Sequence, residues 1–251
     1  MAKRIDIRLT VFRFFITLAL GCCFIIQTPR VGSCKEGYWS AESVDLQYSV
    51  STVSARATRD IDVISPDKKK RVIVTGVGFH IKINGKRLPD PKEDIHGIQI
   101  LAELGWSPDS KAFFVTQSDG GEVGTWYVNI YILGPRFLID ADITNEVKKD
   151  FMARYNCDVW GEDRGNEIPN IAAIKWLNGS SKLLLLAEVP PHSSCPEMGK
   201  FMGYVVSVPS GKILVRYSAA EVKAKWGRSL GRRHSNDEKY DIDKGKLPSW
   251  K

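Results

Sequence analysis

The sequence predicts a mainly β protein, a stack of antiparallel four-stranded units with two short helices. Three observations lead there. A Ser-Pro-Asp turn feeding a buried strand occurs at Ser65-Pro66-Asp67 and again at Ser107-Pro108-Asp109, and a worn copy lies at Asn178-Gly179-Ser180-Ser181. Short runs rich in Val, Ile, Tyr, Trp and Phe alternate with Gly, Asn, Pro and Ser clusters along the body. Only 144–155 and 218–227 carry helical signals.

The turn has a physical reading. Proline sets φ for the second position of a type I turn and pushes Ser107 towards the extended region. The Ser107 hydroxyl can cap the turn, and Asp109 can accept a backbone N–H. Ala112 to Val115 is apolar without clean alternation, which predicts a strand buried on both faces. Trp106 and Phe113 are expected in the core.

In chain order, Lys3, Arg4, Arg8 and Arg13 precede an uncharged, largely apolar run from Phe14 to Ile26. That pattern predicts a signal peptide over 1–33, and the run is short for a span of ~20 residues. Retention as an anchor through 14–26, or lipidation of Cys22, are the alternatives. Localisation is therefore expected to be periplasmic or secreted. With Cys22 and Cys23 removed, Cys34, Cys157 and Cys195 remain. A Cys157–Cys195 disulfide is expected, leaving Cys34 over.

One domain is expected over 34–227. Unit one, about 38–93, holds an alternating strand from Val44 to Ser54, the first turn, strands at 71–75 and 78–83, and the hairpin dipeptide Asn84-Gly85. Unit two, about 94–142, is built round the central turn, with strands at 111–117, 125–133 and 137–139. An insertion over 143–169 begins with a short amphipathic helix and continues as the acidic, glycine-bearing loop Asp158 to Glu167. Unit three, about 170–217, has strands on either side of the worn turn, then a loop through Pro190-Pro191, His192 and Cys195, then a hairpin. Ser218-Ala219-Ala220-Glu221 is a capping box opening the second helix. Residues 228–251 read as a charged, disordered tail, with Arg232-Arg233 solvated.

Trp106-Ser107-Pro108-Asp109-Ser110-Lys111 and Ser65-Pro66-Asp67 resemble the WD40-like repeat of TolB-type β-propellers, with Ser110 where that repeat usually has glycine. The resemblance implies a partial or small β-propeller-like stack and partner binding on a loop-bearing face; it implies no reaction. Three units do not comfortably close a ring of the usual 4–8 blades. A fourth, split blade drawing on 38–55, an open stack, a sandwich and side-by-side dimerisation are the options.

Charge narrows the function classes. The chain holds 36 Lys and Arg against 29 Asp and Glu, but 34–222 holds 22 bases and 24 acids, a net −2. The excess of bases sits at the two ends, so no nucleic-acid partner is expected. No Gly-x-Ser-x-Gly elbow, phosphate loop or His-Glu-x-x-His helix is present. No catalytic residue, metal site or cofactor is expected; Asp140, Asp142 and Asn145 read as helix capping rather than calcium ligands. The expected function is a non-catalytic binding or scaffold module. Its candidate surface is Trp160, Asp163, Arg164, Pro191 and His192 on the loops 158–169 and 190–199, its partner a protein or envelope component, with a homodimer possible in principle. Membrane contact is expected only through the signal or anchor segment. The alternative is a hydrolase acting on glycans or peptides through loop carboxylates.

Overall fold

A computed structural model describes residues 37–46, 60–75, 78–88, 98–99, 101–118, 125–134, 138–155, 157 and 167–234. The 14–26 run, Cys34 and the loop 158–166 lie outside them. Among the described residues no helix is long and apolar enough to cross a membrane.

Among the described residues, thirteen strands form three antiparallel sheets that do not close into a ring. Sheet one is β2 (Ile61–Ile64), β3 (Lys70–Thr75), β4 (Gly78–Ile83) and β5 (Lys86–Arg87), in sequential order. Sheet two is β6 (Leu101–Trp106), β7 (Ala112–Ser118), β8 (Trp126–Leu133) and β9 (Leu138–Ala141), with β1 (Val44–Asp45) added beside β6. Sheet three is β10 (Asn170–Leu177), β11 (Lys182–Glu188), β12 (Phe201–Ser207) and β13 (Ile213–Ser218). Helix α1 (Asn145–Arg154) links sheets two and three, and α2 (Ala219–Trp226) follows β13.

The central strand explains the stacking. Every residue of β7 is buried. Phe113 and Val115 join Val72, Val74, Phe79 and Ile81 of sheet one in one apolar cluster. Ala112 and Phe114 point the other way, into a cluster with Ile171, Ala173, Leu183, Leu185 and Tyr204 of sheet three. Two-sided burial of this kind is why the run is apolar without alternation, and each buried phenylalanine contributes about 2–3 kcal/mol. The outer face of sheet three is covered in turn. Ala172, Ile174, Leu184, Leu186 and Val205 lie under Val222 of α2, Trp39 and Leu230. Gly203 permits that close approach, since a Cβ there would overlap Val222.

The repeated turns act as hooks between sheets. In the first, the Ser65 hydroxyl donates to Asp67 Oδ1 at 2.6 Å and accepts from Lys70 N at 3.0 Å; in the second, Ser107 donates to Asp109 at 2.7 Å and accepts from Ala112 N at 2.9 Å. Lys68, Ser110 and Asn178 all sit at positive φ, 60°, 56° and 53°. This is the left-handed conformation for which glycine is the usual residue. Asp67 N donates to Ser110 Oγ at 3.0 Å, and Asp109 Oδ2 accepts from Ser180 N and Oγ at 3.2 and 2.9 Å. Trp106 Nε1 donates to Val63 O at 3.1 Å, and Trp176 Nε1 to Gly105 O at 3.0 Å. Each unit is thereby fastened to the one before it through its turn and through a tryptophan just ahead of that turn.

Three expectations need correction. Residues Val44–Asp45 do not belong to unit one: β1 pairs antiparallel with β6 of sheet two, Asp45 opposite Glu103. The described part of 38–55 thus supplies the inner edge of sheet two rather than a fourth blade. The tail does not begin at 228. Leu230 bridges Ser40, Gly231 N donates to Trp39 O at 2.7 Å, and Arg233 is buried. Nor is Arg232-Arg233 a solvated pair, because each arginine meets a buried carboxylate (below) and the N-terminal segment provides the ceiling over them.

Candidate functional site

The strand ends opposite the hooks carry the longer connections. Trp126 N donates to Asn170 Oδ1 at 3.0 Å, and Ala173 N to Thr116 Oγ1 at 3.1 Å, so sheets two and three are fixed to each other there. From this base rises the loop Val189–Lys200. Val189 N donates to Lys200 O and Gly199 N to Val189 O, both at 2.9 Å, closing its neck. Ser193 N bonds Pro190 O at 3.0 Å, Cys195 N bonds Ser193 Oγ at 2.9 Å, and Met198 N bonds Cys195 O at 3.1 Å. Glu167 Oε1 accepts from Ser194 N at 3.1 Å, tying the end of the acidic loop to this one. The loop is held by its own backbone and by buried Val189, Pro190, Ser193 and Cys195.

Of the predicted surface, Pro191 is half-buried and His192 is exposed on this loop. Trp160, Asp163 and Arg164 lie outside the described residues. Cys157 and Cys195 are both buried in the cluster between sheets two and three, beside the foot of the loop, and the structure does not join them in the expected disulfide. Met198, which the sequence reading passed over, is 54% exposed and stands next to that surface. Asp142, read as helix capping, accepts from Thr144 N at 3.0 Å and from Asn145 Nδ2 at 2.6 Å. Among the described residues no three His, Cys, Asp or Glu side chains gather as a metal site.

Below the loop lies a group of buried charges that sequence reasoning missed. Glu188 closes β11 after four leucines and is fully buried. Arg233 Nε and Nη2 reach its two oxygens at 2.8 and 2.6 Å, and Nη1 donates to Tyr38 Oη at 2.8 Å. Burial alone would lower the Arg233 guanidinium, but Glu188 and then Tyr38 more than offset it and hold it above its ordinary value. His234 packs on Phe201 and Trp39, with ring centroids 4.4 and 5.5 Å apart. Its Nε2 is 3.8 Å from Glu188, too far for a hydrogen bond. Burial, then Arg233 and Lys223, push the imidazole well below its usual value, so it is neutral.

On the next sheet Glu103 is the other buried acid. Its Oε2 accepts from Trp39 N at 3.0 Å. Burial raises its carboxyl to about 8 against the pull of the Trp39 N–H and the Ser43 hydroxyl. Asp45, directly across the ladder, is held instead by Arg232 Nη2 at 2.6 Å. The available signal was an acid inside an apolar strand, at Glu103 and Glu188; the bases that meet Asp45 and Glu188 lie 187 and 45 residues along the chain.

Chemically these acids are spent. Glu188 is saturated by a bidentate arginine, Glu103 is sealed from solvent, and Glu167 and Glu197 hold Ser194 and Lys200. Among the described residues the loop turns His192, Met198 and part of Pro191 outward. The chain matches no known family model, no curated protein and no solved structure.

Proposed function

We propose that the protein is an exported, non-catalytic binding or scaffold module built from WD40-like units, which takes a protein or envelope component on its loop-bearing end. One observation carries this reading. The loop Val189–Lys200 is closed by its own hydrogen bonds on a strand buried from Leu183 to Glu188, yet offers His192 and a 54% exposed Met198 to solvent. A pre-ordered loop loses little entropy on binding, and exposed methionine is suited to adaptable contacts. Export through residues 1–33 goes with a Cys157–Cys195 disulfide, whose closure of 39 residues is worth about 4 kcal/mol on the chain-entropy estimate. The hydrolase alternative rests on the carboxylates of Asp158, Glu162 and Asp163, which lie outside the described residues.

The test is crosslinking and recovery from the envelope with the wild type and a His192→Ala/Met198→Ala variant. Loss of a specific partner with an unchanged circular dichroism spectrum supports the reading. Equal recovery by both proteins refutes the assignment to this loop. N-terminal sequencing tests export, since a mature chain starting at Met1 contradicts it, and a non-reduced digest tests the disulfide.

A further inference from the structure

The turns at one end of the three sheets are joined in a continuous row. Asn84 N donates to Lys69 O at 2.9 Å within sheet one. Asp67 N reaches Ser110 Oγ at 3.0 Å, and Asp109 Oδ2 accepts from Ser180 Oγ at 2.9 Å, which carries the row across sheets two and three. Val208 N then donates to Ser181 O at 2.9 Å and brings in the hairpin between β12 and β13. Six exposed lysines stand on or beside these turns: Lys68, Lys69, Lys86, Lys111, Lys182 and Lys212. The acids of the same turns, 65–70, 84–87, 107–111, 178–182 and 207–212, are Asp67 and Asp109. Both are tied inward, Asp67 by Ser65, Lys69 N and Lys70, and Asp109 by Ser107, Lys111 N and Ser180. Residues 34–222 have a net charge of −2, so a basic rim is not the average of the body. Lys68 is held at φ 60°, where glycine carries less strain, so a cation is kept there at a cost to the fold. Ile64, 48% exposed, adjoins the first turn.

We propose that this lysine rim docks on the surface of an anionic phospholipid bilayer, apart from any contact made by residues 14–26. The proposal does not depend on the loop-end reading above, because β11 runs from Lys182 at the rim to Glu188 at the foot of the loop, and the two surfaces lie at opposite strand ends. The charge of the rim is complementary to a layer of phosphate headgroups, and each lysine near such a layer adds to the attraction. The kind of cation favours a layer over a single bound phosphate. Lysine is a compact point charge on a flexible stem, whereas a fixed phosphate pocket draws on the planar fork of arginine. The charges are also spread over three sheets, which pack about 10 Å apart, rather than gathered in one groove. These turns contain no aromatic side chain on which a nucleic-acid base could stack. Ile64 supplies an apolar contact beside the lysines, at the depth of the headgroups. The hydrogen-bonded row is ordered before binding, so little conformational entropy is lost.

The experiment footprints the lysines of the full chain by acetylation and mass spectrometry, in the presence of vesicles of phosphatidylcholine alone or mixed with phosphatidylglycerol. Mixed vesicles are expected to slow acetylation of the six rim lysines at least about fivefold, and to leave Lys200 at the loop neck and Lys225 on α2 unchanged. Raising salt from ~0.05 to ~0.5 M should remove the protection. Neutral vesicles should give none, even where the leading apolar run holds the chain to them. A full-length Lys69→Gln/Lys111→Gln/Lys182→Gln/Lys212→Gln variant changes only exposed side chains, and its circular dichroism spectrum should match the wild type. It should lose the protection at the two rim lysines that it retains, Lys68 and Lys86. Equal acetylation of the rim with and without phosphatidylglycerol overturns the proposal, and so does equal protection of Lys68 and Lys86 in the two proteins. Protection of the rim by mixed-sequence duplex DNA but not by mixed vesicles overturns it in favour of a nucleic acid. None of these outcomes bears on partner recovery through His192 and Met198.

Discussion

Replacing Glu103 with glutamine should change how stability depends on pH more than it changes stability itself. In the fold the carboxyl is buried between β6 and the segment 37–46, accepts the Trp39 N–H at 3.0 Å, and faces Asp45 across the ladder, whose charge Arg232 balances. Its pKa is raised from 4.5 to about 8. Between those values the folded chain binds a proton that the unfolded chain releases, so unfolding becomes easier as pH rises. The stabilising contribution is complete below 4.5 and is lost by about 8. At 1.36 kcal/mol per unit, the three units from pH 5 to pH 8 cost the wild type about 4 kcal/mol. Glutamine has nearly the same shape and binds no proton in either state. Whatever its fixed offset, the stability of Glu103→Gln relative to wild type should therefore climb by about 4 kcal/mol from pH 5 to pH 8. Urea unfolding at pH 5, 6, 7 and 8 measures it directly, and titration elsewhere cancels in the difference. A difference constant within about 0.5 kcal/mol over that range would refute the reasoning, since it means that Glu103 ionises alike in both states.

Arg233→Met should cost about 3–5 kcal/mol by leaving Glu188 buried and unpaired, whereas Arg233→Met with Glu188→Gln should cost less than that single change; a double-mutant cycle by urea unfolding measures the coupling. His234 is held neutral, so its contribution is present above the ordinary histidine value of 6.5 and is lost as pH falls through it. His234→Phe should then resist acid unfolding better than wild type between pH 6.5 and 5, and parallel acid transitions would contradict this. Lys68 is exposed and held at φ 60°. Lys68→Gly should raise stability by about 1 kcal/mol, visible as a higher urea midpoint at unchanged slope, and a lower midpoint would count against strain at that turn.

The units were legible because their signals are local. Ser65-Pro66-Asp67 and Ser107-Pro108-Asp109 build the same hydrogen-bonded turn from residues within five positions of one another. The capping box at Ser218 is local in the same sense, with Glu221 three residues away, and α2 begins where it predicts. Partners across the chain were not legible. Nothing near Glu188 announces Arg233, and nothing near Val44 announces β6, because an isolated two-residue strand has no period of its own. Arg232-Arg233 looked solvated because charge density dominates a tail's composition, and composition is blind to a single buried carboxylate. Of the candidate surface, the loop with Pro191 and His192 followed from its prolines and its position between strands. Met198 was missed because a lone methionine in a sequence carries no sign of whether it is buried.

The ends of the stack show why three units suffice without closing. Trp106, one residue before Ser107, and Trp176, two residues before Asn178, each donate an indole N–H to a carbonyl on the preceding sheet, Val63 O and Gly105 O. The residue of sheet one that matches Trp106 is Ile64, which is 48% exposed. No described sheet precedes it. Asp62 and Arg71 turn that face of sheet one towards solvent as an ion pair at 2.8 Å, with Val63 and Val72 turned inward. At the other end sheet three presents an apolar face that cannot be left open. It is covered by α2 and by the two terminal segments, which cross at Ser40 and Leu230 and are pinned by Arg232 to Asp45 and by Arg233 to Glu188. These ion pairs hold the two segments over the apolar face of sheet three, and Ser229, Leu230 and Arg233 are buried there.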